Sequence, residues 1–564
     1  MALAGNEPFN YTFMKQLLII LFTFITGIVH AQKSNISSLT YSITVLPKTG
    51  EFKIVLEFTA TNVTTTAIQL PKQFGSFTNA FRYVSIQKGK NIESASVSGT
   101  DSSVIILKHR PQQSLSFVYT LKNALKDSLP GKEPAYSIII KPGYFNIPGH
   151  VLFAYPKKDS ALAANVKINW VNYPKGWSNI NSFGNNYAVQ TLPNIPMPLF
   201  VSSIWCGGDF RVYPFTVNQK PVYFAVRGKW KFTDADMQRM IQKTIVAQRS
   251  FWNDFNINQY TVTLMPFLTE SEYSYSYQGT GLTNSFTTWA TNNQQTSPAS
   301  LTYLYNHELM HHWIGNMIEN EHPEELQYWF SEGFTDYFTW RNMLESNFIT
   351  EEQYNRSFDS VLTVHYSDSL NTTSNNSIKE AFWTNDRIQK LPYNRGRIFA
   401  YYLDALLKKQ THGQINLKKI MVEMLQLCRT QKKKFDSKLL IDLVKQFTNY
   451  DISELIEKYI TNGRFISLDE WNTVLPNGFS YKEVSLFSIG FTTDKGGLAL
   501  NATITELDEH SNAALAGFKV GDKLKGYSLT YNPSKEGEIT VQRGDEQITI
   551  KFFPAKKAKL IQLN

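Results

Sequence analysis

Cysteine is almost missing from this sequence: Cys206 and Cys428 are the two in 564 residues. Two thiols make no disulfide framework and cannot alone ligate a metal cluster, so they read as unpaired. Charge is thin as well. Asp, Glu, Lys and Arg form 18% of the chain, and the net charge of +9 is diluted over its whole length. The one basic run, Lys432–Lys434, reads as a solvated helix end, which argues against a nucleic-acid partner. Long apolar runs are also lacking. The run from Leu17 to Val29 is too short to span a bilayer comfortably, so no membrane span is expected.

That run has another reading. Met14 and Lys15 precede it, "VHA" follows, and Gln32 then begins a polar chain. Residues 1–31 therefore read as a cleavable signal peptide with a short upstream extension. A secreted or periplasmic protein is the expectation.

What is present is an orderly change of texture, and the length calls for several domains. Segments such as "YSITVL", "FKIVLEF", "SVIILKH" and "YFAVRG" alternate apolar and polar residues between Gly, Asn and Pro turns. They predict an all-β N-terminal domain over 32–230. From Thr233, "TDADMQRMIQKTIVAQRSFW" shows an N-cap, an acidic first turn and helical apolar spacing. Helical patterns dominate a second domain over 231–468. Short strands and turns return in a third, over 469–564.

The chemistry concentrates in "NHELMHHWIGNMIENEHPEELQYWFSEGFTDYF", residues 306–338. On a helix, His307 and His311 share one face and can meet one ion, while Glu308 stands beside them within reach of a water. His312 is turned about 100° away, and His322 falls in a loop beside Pro323. Catalytic zinc takes three protein ligands and leaves a fourth position open. Glu332, on a second helix, supplies the third. Asp336, four residues on, either orients a ligand histidine through its far nitrogen or is a plain surface acid.

At this point the sequence resembles a known group. "HELMHHWIGN" is similar to the zinc helix of the aminopeptidase N-type gluzincins, and "SEGFTDY" to their third-ligand helix. Twenty residues separate His311 from Glu332, two more than that pattern has, and "NEHPEE" is where they fit. Glu319, Glu321, Glu324 and Glu325 then read as solvated connector residues. "LPYNRGRIFAYYLD" resembles the family's Tyr-x-x-Gly segment, which implies that Tyr393 stabilises the oxyanion, with Gly396 as the matching glycine. "GTGLTNS" stands where the family carries a strand whose Glu binds the substrate's free amine. Gly281 and Leu282 are kept, but Thr283 occupies the place of that Glu and Asn284 follows it. A hydroxyl cannot pair with an ammonium as a carboxylate does. These four residues are the expected substrate contacts.

"HSNAALAGFKVGDKL" resembles a bacterial PDZ module, so the last domain is expected either to capture chain ends or to act as a structural cap. A β-domain, a gluzincin core and a PDZ resemble the glycyl aminopeptidase family, whereas aminopeptidase N-type enzymes end in a helical domain. The resemblance implies a multidomain fold: an all-β domain, a thermolysin-like α+β, mostly helical catalytic domain, and a PDZ-like β domain. It implies one Zn²⁺ held by His307, His311 and Glu332, with Glu308 as general base. The expected activity is hydrolysis of peptide or protein substrates through a zinc-activated water, as an aminopeptidase with atypical recognition of the N-terminus. Two other readings are an endopeptidase of the same fold and a catalytically silent, zinc-stabilised protein that captures peptides through its PDZ domain.

Overall fold

The computed structural model describes residues 37–124, 136–157, 163–267 and 275–564. The leader read in residues 1–31 lies outside them. The N-terminal part is β-rich, as its alternation predicts. In Glu51–Thr59, Phe52, Ile54, Leu56 and Phe58 point inward while the residues between them face out. This strand lies between Ser37–Leu46 and Ser114–Lys122 in a six-stranded sheet. With a four-stranded and a five-stranded sheet it encloses an aromatic core that includes Tyr41, Phe117, Phe145 and Trp205.

The domain boundary expected at residue 230 moves towards the N-terminus. Arg211–Val217 and Lys220–Val226 belong to the five-stranded sheet of the second domain, beside Tyr260–Pro266, Ser285–Ala290 and the edge strand Tyr277–Leu282. The three inner strands run parallel and the two outer ones antiparallel. A parallel pair needs a crossover, and the helix Asp234–Trp252 supplies it between Lys220–Val226 and Tyr260–Pro266. Alternation alone could not reveal this, because it does not say which sheet a strand joins. Ile204 and Cys206 of the N-terminal part pack with Ala225, Met265 and Trp289 of the second domain's sheet, joining the two regions. Cys206 donates its thiol to Asn146 Oδ1 at 2.9 Å, and both cysteines are buried and free, as their number suggested.

Helices from Pro298 to Val474 surround one large core with the sheet. The boundary expected at residue 468 also moves. The helix Leu468–Val474 buries Trp471 and Val474 in that core, and Trp471 stacks on Phe479 with ring centroids 4.2 Å apart. Phe479–Phe487 then pairs with Ala555–Leu563, the last strand of the chain, and Phe479 and Ile561 complete the same core. The remaining C-terminal residues form a small β unit with its own apolar centre, Phe491, Ile504, Phe518, Leu524, Ile539 and Phe552 among it. Among the described residues, no helix is long and apolar enough to cross a membrane.

Candidate active site and metal centre

The zinc-helix candidate, Pro298–Met310, starts on a capping box between Ser297 and Ser300, with Pro298 in its first turn. His307 lies in its last turn and His311 is its C-cap, so the spacing of four brings their Nε2 atoms within 3.1 Å. The chain then turns at Gly315, whose φ of +104° favours glycine. Trp313 anchors the exit by donating its indole N–H to the buried Asp254 carboxylate at 2.7 Å, and Arg429 pairs with that carboxylate from another helix. Glu332 sits at the junction of Tyr328–Ser331 and Gly333–Glu345. Its Oε2 lies 3.6 Å from His307 Nε2 and 3.4 Å from His311 Nε2.

These edges fit a zinc ion. Ligand atoms bound tetrahedrally at about 2.05 Å lie roughly 3.3 Å apart. The far nitrogens are held too. His307 Nδ1 is 2.8 Å from Asp336 Oδ1, which also accepts the Tyr303 hydroxyl at 2.5 Å. His311 Nδ1 is 3.1 Å from the Ile314 carbonyl. A carboxylate and a carbonyl can only accept, so each ring carries its proton on Nδ1 and turns an Nε2 lone pair towards the shared centre. Between the two readings of Asp336, this geometry selects the orienting one.

Glu308 and Tyr393 line the same cleft of about 560 Å³. Burial raises the Glu308 carboxyl above its ordinary range, against the pull of His307 and His311. Tyr393 stands in the first turn of Leu391–Gln410, its ring nearly parallel to that of His307 at 6.4 Å. Burial and the neighbouring Glu332 push its phenol up, so it stays a hydroxyl donor at working pH. Gly396 makes this placement possible. A Cβ there would lie 1.8 Å from the Trp329 carbonyl oxygen, so only glycine lets this helix meet the one carrying Glu332.

The expected substrate contacts are only partly brought here. Gly281 lines the cleft, together with Gly279 and Thr280. Leu282 is buried against Met265 and Trp289. Thr283 and Asn284 form the two-residue hairpin turn, where the Thr283 N–H donates to the Ser202 carbonyl at 2.6 Å and Asn284 has φ of +48°. Leu282, Thr283 and Asn284 are therefore corrected from cleft contacts to hairpin and domain-joining residues. The connector acids are solvated as expected: Glu319, Glu321 and Glu324 are exposed and Glu325 is half-buried. Three of them also make contacts, since Glu319 and Glu324 line the cleft, Glu319 pairs with Lys434, and Glu325 accepts the Trp383 indole N–H. Tyr303 went unread although it stands four residues before His307, on the same helix face. Tyr328, Phe382 and Trp383 carried no motif.

Residues 242–459 match the profile of the peptidase family M1 domain. The chain is a zinc metallopeptidase. The match spans both zinc-ligand helices and Tyr393. No curated protein matches the sequence. Among solved structures, an aminopeptidase N family protein from Idiomarina loihiensis is 16% identical, with 93% of this chain and 98% of that one covered at a TM-score of 0.70. It shares the fold. An M1 zinc metallopeptidase from Deinococcus radiodurans is 13% identical, with 77% of this chain and 95% of that one covered at a TM-score of 0.46.

Proposed function

We propose that this metallopeptidase is an aminopeptidase with atypical recognition of the substrate N-terminus, acting outside the cytoplasm, with His307, His311 and Glu332 holding one Zn²⁺. The observation that carries the reading is the convergence of that triad, Glu308 and Tyr393 on one cleft. When bound, zinc polarises the scissile carbonyl and acidifies water. Glu308 takes the proton of the attacking water and returns it to the leaving amine, and its raised affinity for protons suits both steps. The Tyr393 hydroxyl donates to the oxygen on which charge develops. Asp336 and Tyr303 keep His307 in the ligating tautomer.

The edge strand exposes backbone to an extended substrate. Its cleft-lining residues, Gly279, Thr280 and Gly281, carry no carboxylate for a free amine. That favours weak dependence on the amine and keeps an endopeptidase as the second reading. The similarity of the C-terminal unit to a PDZ module supports a likeness to glycyl aminopeptidases, with a chain end as the ligand of that unit. The test is cleavage profiling on matched free and N-acetylated peptides with the wild type and Glu308→Gln. We expect zinc to stay bound in the variant while turnover falls by about 10² or more, and acetylation to slow the wild type without abolishing cleavage. Undiminished turnover in Glu308→Gln would overturn the mechanism. Equal cleavage of both peptide sets would identify an endopeptidase.

A further inference from the structure

The cleft has an aromatic wall with no part in the chemistry above. Trp383 is 69% exposed and lines the cleft, the most solvent-exposed aromatic side chain there. Single exposed apolar residues are ordinary, but a bare indole in the wall of a catalytic cleft is placed to contact ligand. It is also held. Phe382 packs edge-on against it with ring centroids 5.0 Å apart, and Tyr328 stands edge-on at 6.5 Å. Behind them, Phe382, Ile378, Ile388 and Leu391 form a small apolar core separate from the main one. The indole N–H donates to Glu325 Oε1 at 2.9 Å, which turns the polar edge of the ring towards the connector. Glu325 lies in the segment where the chain is two residues longer than the pattern it resembles.

We propose that Trp383, backed by Phe382 and Tyr328, forms the subsite for a large apolar or aromatic substrate side chain beside the scissile bond, with Glu325 as the residue that positions the indole. The inference rests on the peptidase reading and adds the class of substrate. Of the connector acids in the cleft, Glu319 is paired with Lys434 while Glu324 is exposed, so a basic side chain is the competing occupant, for which Arg peptides test.

The test compares kcat/KM for matched peptides carrying Phe, Leu, Ala or Arg on either side of the cleaved bond, with zinc content and melting temperature measured for every variant. The wild type is expected to favour Phe and Leu over Ala by about ten-fold or more at one of the two positions. Trp383→Ala should reduce that ratio to near unity, chiefly through KM. Glu325→Ala should lower it in part, while Glu325→Gln, which keeps an acceptor for the indole, should restore it. Trp383 is exposed, so its truncation leaves no buried void, and the Glu325 pair tests the idea independently. A preference for Arg or Ala in the wild type, or an unchanged ratio in Trp383→Ala, would overturn the subsite while leaving the peptidase intact. No cleavage of any peptide by zinc-loaded wild type would instead overturn the underlying reading, and the subsite with it.

Discussion

Asp336 shows how much a single carboxylate can carry. It accepts from His307 Nδ1 and from Tyr303, so it orients a ligand without touching the ion. Asp336→Ala should weaken zinc binding by about 10- to 100-fold, as measured by competition with a chelator. Asp336→Asn, which keeps an acceptor, should lose less. A different residue sets a pH limit. His365 is buried against Tyr366 and Phe465, and burial, with Arg395 nearby, lowers its pKa to about 3. The unfolded chain binds this proton at about pH 6.5, so below that pH the unfolded state holds more protons than the folded one. Stability from this group is complete above pH 6.5 and is lost as pH falls towards 3. The loss at pH 5 should be roughly 2 kcal/mol. Urea unfolding of zinc-saturated protein at pH 7.5 and 5 should show it, and His365→Gln should remove its share of the dependence, leaving that of His150 and His312, which burial likewise lowers to about 4.

At the scale of elements, the site is made by helices whose approach is controlled by two glycines. A Cβ on Gly333 would come within 2.3 Å of Gly396 Cα, and one on Gly396 would meet the Trp329 carbonyl. Backbone cannot yield as a flexible side chain can. Gly396→Ala should therefore force the helices apart and cost about 3 kcal/mol, at the upper end for overpacking. Because Tyr393 shares that helix, kcat should fall further than zinc occupancy does, and comparing the two in one preparation checks the claim. This arrangement also explains what the sequence could disclose. His307, His311 and Glu332 were legible because helical spacing and ligand chemistry constrain them locally. Tyr393 needed its Gly396 neighbour and a family likeness. Thr283 misled because a motif position does not say whether a residue ends a strand in the cleft or turns away to bond Ser202. Trp383 and Glu325 were invisible, since their meeting depends on packing between segments 58 residues apart.

At the scale of the whole molecule, the C-terminal unit is an insertion rather than an appended domain. Strand Phe479–Phe487 leaves the catalytic core and strand Ala555–Leu563 returns to it. The ribbon they form is part of that core: Phe479 and Ile561 are buried in it, and the Leu563 N–H donates to Asp359 Oδ1 at 2.8 Å. At the ribbon's far end the Ser488 N–H donates to the Pro554 carbonyl at 2.9 Å, so residues 489–553 leave and return through adjacent points. Their apolar centre is their own. Replacing 489–553 with a short Gly-Ser linker should preserve zinc content, melting of the catalytic core and hydrolysis of short peptides, because closing so narrow a gap costs little chain entropy. Truncation after residue 478 should behave oppositely. It removes Phe479 and Ile561 together, and losing two large buried side chains should cost more than about 4 kcal/mol. Calorimetry of both variants separates the outcomes. If the linker variant melted as early as the truncated one, the inserted unit itself would be holding the core together. If it kept its stability but lost activity only on long or folded substrates, the unit would be acting in substrate capture, leaving the bond-breaking step to the cleft.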